Sequence, residues 1–242
     1  MPSTREKKAV AAKMTLIKTI GKILKERGYS KLSINLVSEE SGVDKTFIYR
    51  HYKDFDGLLK SYIEQQDYWL KNLKEATKGN ITDFRGFMKK LLVNQFHDIY
   101  RNEEIQQFLV WELGDKEGFT TKVAIEREIL AEKIFEQFKD VFSKFRIDLN
   151  VITAIFVSAI YYLILHRDKS TFCGYDFTEK QDVNEFIKTL EWLIDVLFDK
   201  LEFDNKLEQV AVKAHKKGMS VDDIAEITGL TTNKINTLVH EY

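Results

Sequence analysis

Between residue 3 and residue 242 the chain has no proline, its single one being Pro2. Proline inside a helix removes a backbone donor and clashes with the preceding turn, so a chain free of it can run from helix to helix. Apolar residues recur at spacings of three and four almost throughout, and no stretch alternates with the period of two expected of a half-buried strand. An all-α protein is predicted, interrupted at glycines and short polar runs. Its 242 residues suffice for one large core or two modest domains. The single cysteine, Cys173, excludes an internal disulfide and suits a reducing compartment. The N-terminal MPSTREKK lacks the apolar stretch of a signal peptide. The most apolar run, 151–165, falls short of the ~20 residues of a comfortable membrane span. A cytoplasmic protein with no membrane partner is expected, in which 151–165 is a helix buried on nearly all sides.

Residues 28–53, GYSKLSINLVSEESGVDKTFIYRHYK, read as a helix-turn-helix. Ser33 can cap a short helix running to about Glu40, with Ile34 and Val37 facing inward. Gly42 stands where the chain must swing sharply, a place for positive φ. Asp44 caps the next helix, whose Ile48 and Tyr52 share one face. Lys45, Thr46, Phe47, Tyr49, Arg50 and His51 then point elsewhere. A helix presented in this way fits the DNA major groove. Lys45 and Thr46 are the candidates for base edges, and Tyr49, His51 and Lys53 for phosphates; Phe47 can touch a thymine methyl or pack. Charge agrees with this placement. Residues 1–53 hold 12 Lys+Arg against 5 Asp+Glu, net +7, leaving −8 for the rest of a chain whose total is −1. The basic end is the one suited to a polyanion.

The run from Ile17 through Leu58, with KERGYSKLS, VSEESGV and FIYRHYKDFDGLL, resembles the N-terminal domain of TetR-type transcriptional regulators. The resemblance implies an all-helical homodimer whose first three helices bind double-stranded operator DNA and whose C-terminal domain takes a small effector. It also implies phosphate contacts for Ser33 and Tyr49 and base reading for Lys45, Thr46 and Phe47. Three positions depart from the family's usual residues: Ser38 stands for Ala, Asp44 for Ser, and Phe55 for a Lys that opens the fourth helix and grips a phosphate. Phe55 cannot make that contact, and neighbouring Lys53 is the available substitute. The Asp44 carboxylate, repelled by phosphates, is expected to point into the turn.

Three domains follow: 1–53 for DNA binding, 54–203 for ligand binding and dimerisation, and a 204–242 extension. In the middle, helices are predicted at about 54–77, 82–101, 103–113, 119–144, 149–167 and 182–202. Gly79, Gly114, Gly118 and the segment 168–181 mark the breaks. Asp182 with Glu185 resembles a capping box, and Phe186, Leu190, Leu193, Leu197 and Leu201 form a stripe. By resemblance, 149–167 and 182–202 pair with their symmetry mates to form the dimer. Candidate pocket residues are the polar groups set in apolar runs, Asn94, His97, Gln107, Glu112, Tyr161 and His166, with the aromatics Phe108 and Trp111. They suggest a mostly apolar or aromatic effector of unknown identity.

A shorter copy of the motif recurs at 218–240, GMSVDDIAEITGLTTNKINTLVH. Ser220 with Asp223 can form a cap, Thr231 can cap the last helix, and a helix at 205–217 stands first. Thr231, Thr232, Asn233, Lys234 and Asn236 are candidates for a second DNA contact. Charge opposes it, since residues 204–242 hold 5 Lys+Arg against 6 Asp+Glu. A packing or dimer-stabilising role is the stronger expectation. Neither a phosphate-binding glycine loop, nor HExxH, nor a Cys/His cluster, nor a nucleophile elbow occurs, and the five histidines are scattered. No enzyme activity, metal or cofactor is expected. The reading is a ligand-responsive repressor, with a DNA-bridging protein that uses both motifs as the alternative and a helical enzyme behind both.

Overall fold

The computed structural model describes residues 3–66, 83–115, 118–138 and 148–240, less the side chain of Gln137. Among them the fold is all helical, with one isolated antiparallel bridge between Phe172 and Tyr175. The first unit consists of α1 (Thr4–Arg27), a 3-10 turn (Tyr29–Lys31), α2 (Ile34–Ser41), α3 (Lys45–Tyr52) and α4 (Phe55–Gln66). Leu16, Ile20, Ile23 and Leu24 of α1 close with Val37, Ile48 and Leu58 into a core from which water is almost wholly excluded. Each such side chain contributes roughly 1.5–3 kcal/mol of burial. The core does not stop at the unit's edge. Phe108, Phe119 and Val123, from α6 (Glu103–Gly114) and α7 (Phe119–Gln137), belong to the same cluster.

The second core lies among α5 (Phe84–Arg101), α8 (Leu149–His166) and α9 (Lys180–Lys216), with Phe96, Ile160, Ile164 and Ile194 at its centre. Along the α5–α9 seam, Arg85 reaches Asp199 at 2.8 Å and Glu202 at 3.0 Å, and Lys89 reaches Asp195 at 2.6 Å. The third cluster is small and separate. Ala211 of α9 closes against Ile224 and Leu230 and against Ile235 and Leu238, supplied by α10 (Val221–Thr228), the turn, and α11 (Thr232–His240).

Several expectations are corrected. The predicted helices 182–202 and 205–217 are one helix of 37 residues, so the boundary drawn at 203/204 falls inside α9. Nothing between Leu201 and Leu207 breaks a helix, because neither glycine nor proline interrupts LEFDNKL. Asp182 does not cap it. The helix begins two residues earlier, and the Asp182 carboxylate accepts from the Asp176 amide at 2.7 Å. The buried line of α9 is Val183, Leu190, Ile194 and Phe198, which turns Leu193 outward. Nor is α8 buried on all sides. Leu149, Phe156, Ile160 and Ile164 are, whereas Val151, Ile155 and Tyr162 stand more than half exposed. By length and hydropathy alone this helix could cross a membrane. The predicted extensions of helices to 77 and 144, and the break at Gly79, lie outside the described residues.

Candidate DNA interface

The geometry around residues 33–54 follows from short-range signals. Ser33, in extended backbone, accepts the Leu36 amide and opens α2. Gly42 ends it at φ 67°, in the left-handed region where a side chain would be strained. Asp44 accepts the Thr46 amide at 2.7 Å and also the Thr46 hydroxyl. These two bonds, the side-chain one first, hold its carboxyl below the usual range, so it stays ionised while turned into the turn, as its expected repulsion from phosphate requires. Ser38 has its own use: its hydroxyl donates to the Val43 carbonyl at 2.7 Å and ties the turn back onto α2. An alanine there could not make that bond.

On α3, Ile48 is fully buried and fixes the helix on the core, so the opposite side is presented outward. Lys45, Thr46, Arg50, His51 and Lys53 are exposed, and Tyr49 is 53% exposed. Phe47 is placed differently. It is half-buried against the domain core and its ring centroid lies 4.1 Å from that of His51. Lys53 closes α3 at φ 73°, a strained conformation for a side chain, while its amide donates to the Tyr49 carbonyl at 3.1 Å. That sharp exit lets Asp54 accept the Gly57 amide at 2.7 Å and start α4 within two residues. Phe55, half-buried, joins the core, which leaves Lys53 as the exposed cation at this corner.

A compact bundle with a glycine turn and a polar, cationic helix displayed on its surface defines a helix-turn-helix DNA-binding domain. Residues 16–62 match the bacterial regulatory proteins of the tetR family. It is also 26% identical over 113 residues to an uncharacterized HTH-type transcriptional regulator of Haemophilus influenzae, over 46% of this chain and 55% of the relative. The chain thus spans about half the length of that curated relative.

The candidate pocket residues do not converge. Phe108 and Trp111 belong to the first core, where Trp111 stacks on Tyr29 at 6.0 Å. Glu112 pairs with Arg127, Asn94 faces solvent, and Gln107 lies near Gly28. His97 is half-buried, edge-on to Phe96. His166 stacks on Tyr162 and meets the edge of Phe172, beside the bridge. Tyr161 adjoins a cavity wall: it takes a 3.2 Å bond from Gln95, which is 4% exposed and lines a narrow apolar space of about 50 Å³ with Phe84, Phe87, Leu91, Ile134 and Val157. Gln95 was missed. Its phase with Met88, Leu92 and Ile99 marks it as inward-facing, whereas Asn94, one position earlier, is rotated out.

In the extension, Ser220 caps α10, Gly229 turns at φ 69°, and Thr231 accepts the Lys234 amide at 3.3 Å, as its residues predict. Thr231, Thr232, Asn233 and Asn236 are exposed. Lys234, however, pairs with Glu208 of α9 at 2.9 Å. The one cation of this helix is therefore engaged within the chain.

Proposed function

We propose that this protein is a DNA-binding transcriptional regulator, acting as a homodimeric repressor that a small ligand releases from its operator. The observation that carries the reading is α3 itself, anchored by buried Ile48 and displaying Lys45, Thr46, Tyr49, Arg50 and His51 from the basic end of the chain. Lys45 and Thr46 meet base edges at the helix start; Ser33, Tyr49, His51 and Lys53 meet phosphates on either side. The dimer forms through the outward apolar residues of α8 and α9, Val151, Ile155, Tyr162, Trp192 and Val196. One reading helix covers a few base pairs, and two of them, on half-sites about one DNA turn apart, supply the specificity. An apolar effector is taken beside Gln95 and Tyr161. The cavity there is far below the roughly 300–1,000 Å³ of a ligand site. Binding must therefore widen it, and release of DNA follows if the widened arrangement is the weaker binder of operator. Engagement of Lys234 by Glu208, with the extension's net negative charge, favours a packing role for 204–242 over DNA bridging.

The test is binding to the promoter region beside the protein's own coding sequence. Tyr49→Ala should weaken binding to all sequences alike, and Lys45→Ala should relax preference at one base position, by about 1–3 kcal/mol. Unchanged binding by both variants would remove α3 from the role. Apolar molecules that raise the melting temperature should, in the same assay, lower operator affinity.

A further inference from the structure

The helix α1 is longer than its domain needs. Its buried residues begin at Leu16, where the family match also begins, while residues 4–15 contain none and leave Val10 and Met14 more than half exposed. Twelve residues at 1.5 Å each give an arm of ~18 Å beyond the core. The arm is a capped helix and not a fraying end. Ser3 accepts the Glu6 amide at 3.2 Å, and Glu6 in return accepts the Ser3 amide at 2.6 Å. The Ser3 amide first, and the Ser3 hydroxyl second, hold the Glu6 carboxyl below its usual range and engage the arm's only carboxylate at its far tip.

The arm's cations are Arg5, Lys7, Lys8 and Lys13. Among the described residues, no carboxylate pairs with the first three. Lys13 lies over the Tyr52 ring, 5.7 Å from its centroid, so the arm leaves the domain beside the C-terminal end of α3. That is the end where phosphate contacts belong. At 3.6 residues per turn, the line through buried Ile23, Ile20 and Leu16 continues through Ala12, Ala9 and Arg5, with Lys8 on its flank and Lys7 on the opposite side. Two small residues let the helix approach a surface closely, and the cations bracket them.

We propose that residues 4–15 are a second DNA contact, resting on the reading of α3 given above: the arm lies along the phosphate backbone flanking each half-site, held by Arg5 and Lys8. Such contacts raise affinity without reading sequence, because only phosphates are touched. Each phosphate neutralised adds about 0.9 to the slope of log affinity against log salt. The full-length protein is titrated with its operator and with scrambled DNA from 50 to 200 mM salt, as wild type, as the Arg5→Gln/Lys8→Gln double variant and as Lys7→Gln. The double variant removes four contacts from the dimer, two on each half-site, and should lower the slope by about 3.6, so that the wild type loses roughly 150 times more affinity than the variant over this range. Preference for operator over scrambled DNA should be unchanged, and Lys7→Gln should keep nearly the wild-type slope. An unaltered slope in the double variant overturns the arm while leaving α3 in place. A Lys7→Gln effect half as large as that of the double variant would reduce the arm to diffuse charge and overturn it as a site. A wild type that does not distinguish any promoter sequence from scrambled DNA fails at the level of α3 and takes the arm with it.

Discussion

Glu104 of α6 ties that helix to the first unit by a polar contact. Its carboxylate accepts the Tyr62 hydroxyl at 2.5 Å, and Tyr62 is 2% exposed. Burial first, and this bond second, push the phenol well above its usual range, so it remains a donor at all ordinary pH. The carboxylate can reach this position because α1 carries Gly21 beneath it. A Cβ there would lie 2.4 Å from a Glu104 oxygen. Three elements, α1, α4 and α6, meet at this one acid. Tyr62→Phe leaves the carboxylate without its donor in a half-buried place and should cost about 1–3 kcal/mol by denaturant titration. Gly21→Ala should displace the same carboxylate and destabilise in the same direction, and the two effects should not add, since both break one contact. Additive losses would show that Gly21 and Glu104 act independently. None of this is legible in the sequence. Glu104 reads there as an ordinary charge in the first turn of a helix, and its partners lie 42 and 83 residues away.

The helices α2 and α3 are the most legible elements, because what starts and stops them is local: Ser33 and Asp44 accept amides within three residues of themselves, and Gly42 turns its own backbone. The stripe on α9 is less legible. Its leucines run at helical spacing on more than one side, and only packing against α5 selects Val183, Leu190, Ile194 and Phe198 as the inner line. The remainder leaves Trp192 60% exposed and Ile155 of α8 58% exposed, a poor arrangement for a lone subunit and a suitable one for the proposed dimer. Ile155→Asp or Val196→Asp would place a carboxylate twice in an isologous interface. At roughly 3 kcal/mol or more of uncompensated burial, the dimer should weaken about a hundredfold or more. Sedimentation should then report monomer at micromolar concentration, with α3 intact but operator affinity sharply reduced. A variant that stays dimeric would move the interface elsewhere.

At the scale of the whole molecule, three apolar clusters lie along the described residues, and the last is built from α9 from Leu207 onward, α10, the turn carrying Leu230, and α11. A chain ending at Lys217 removes that cluster's outer half without touching either larger core. It should keep single-site operator binding and lose little of the main unfolding transition, measured by calorimetry. Failure to bind one site would make the extension part of the DNA-binding apparatus. Composition, periodicity and the absence of proline determined the helical class, and the caps and turns at 33–54 and 220–231 determined two helix pairs, because those signals act over a single turn of backbone. Only the tertiary structure decided that Phe108 and Trp111 serve the DNA-binding core, that Gln95 faces a cavity while bonded to Tyr161, that α8 and α9 keep an uncovered apolar side, and that Lys234 is tied to Glu208. Each depends on which face of a helix a distant neighbour covers, and amphipathic spacing gives a helix a face without naming what meets it.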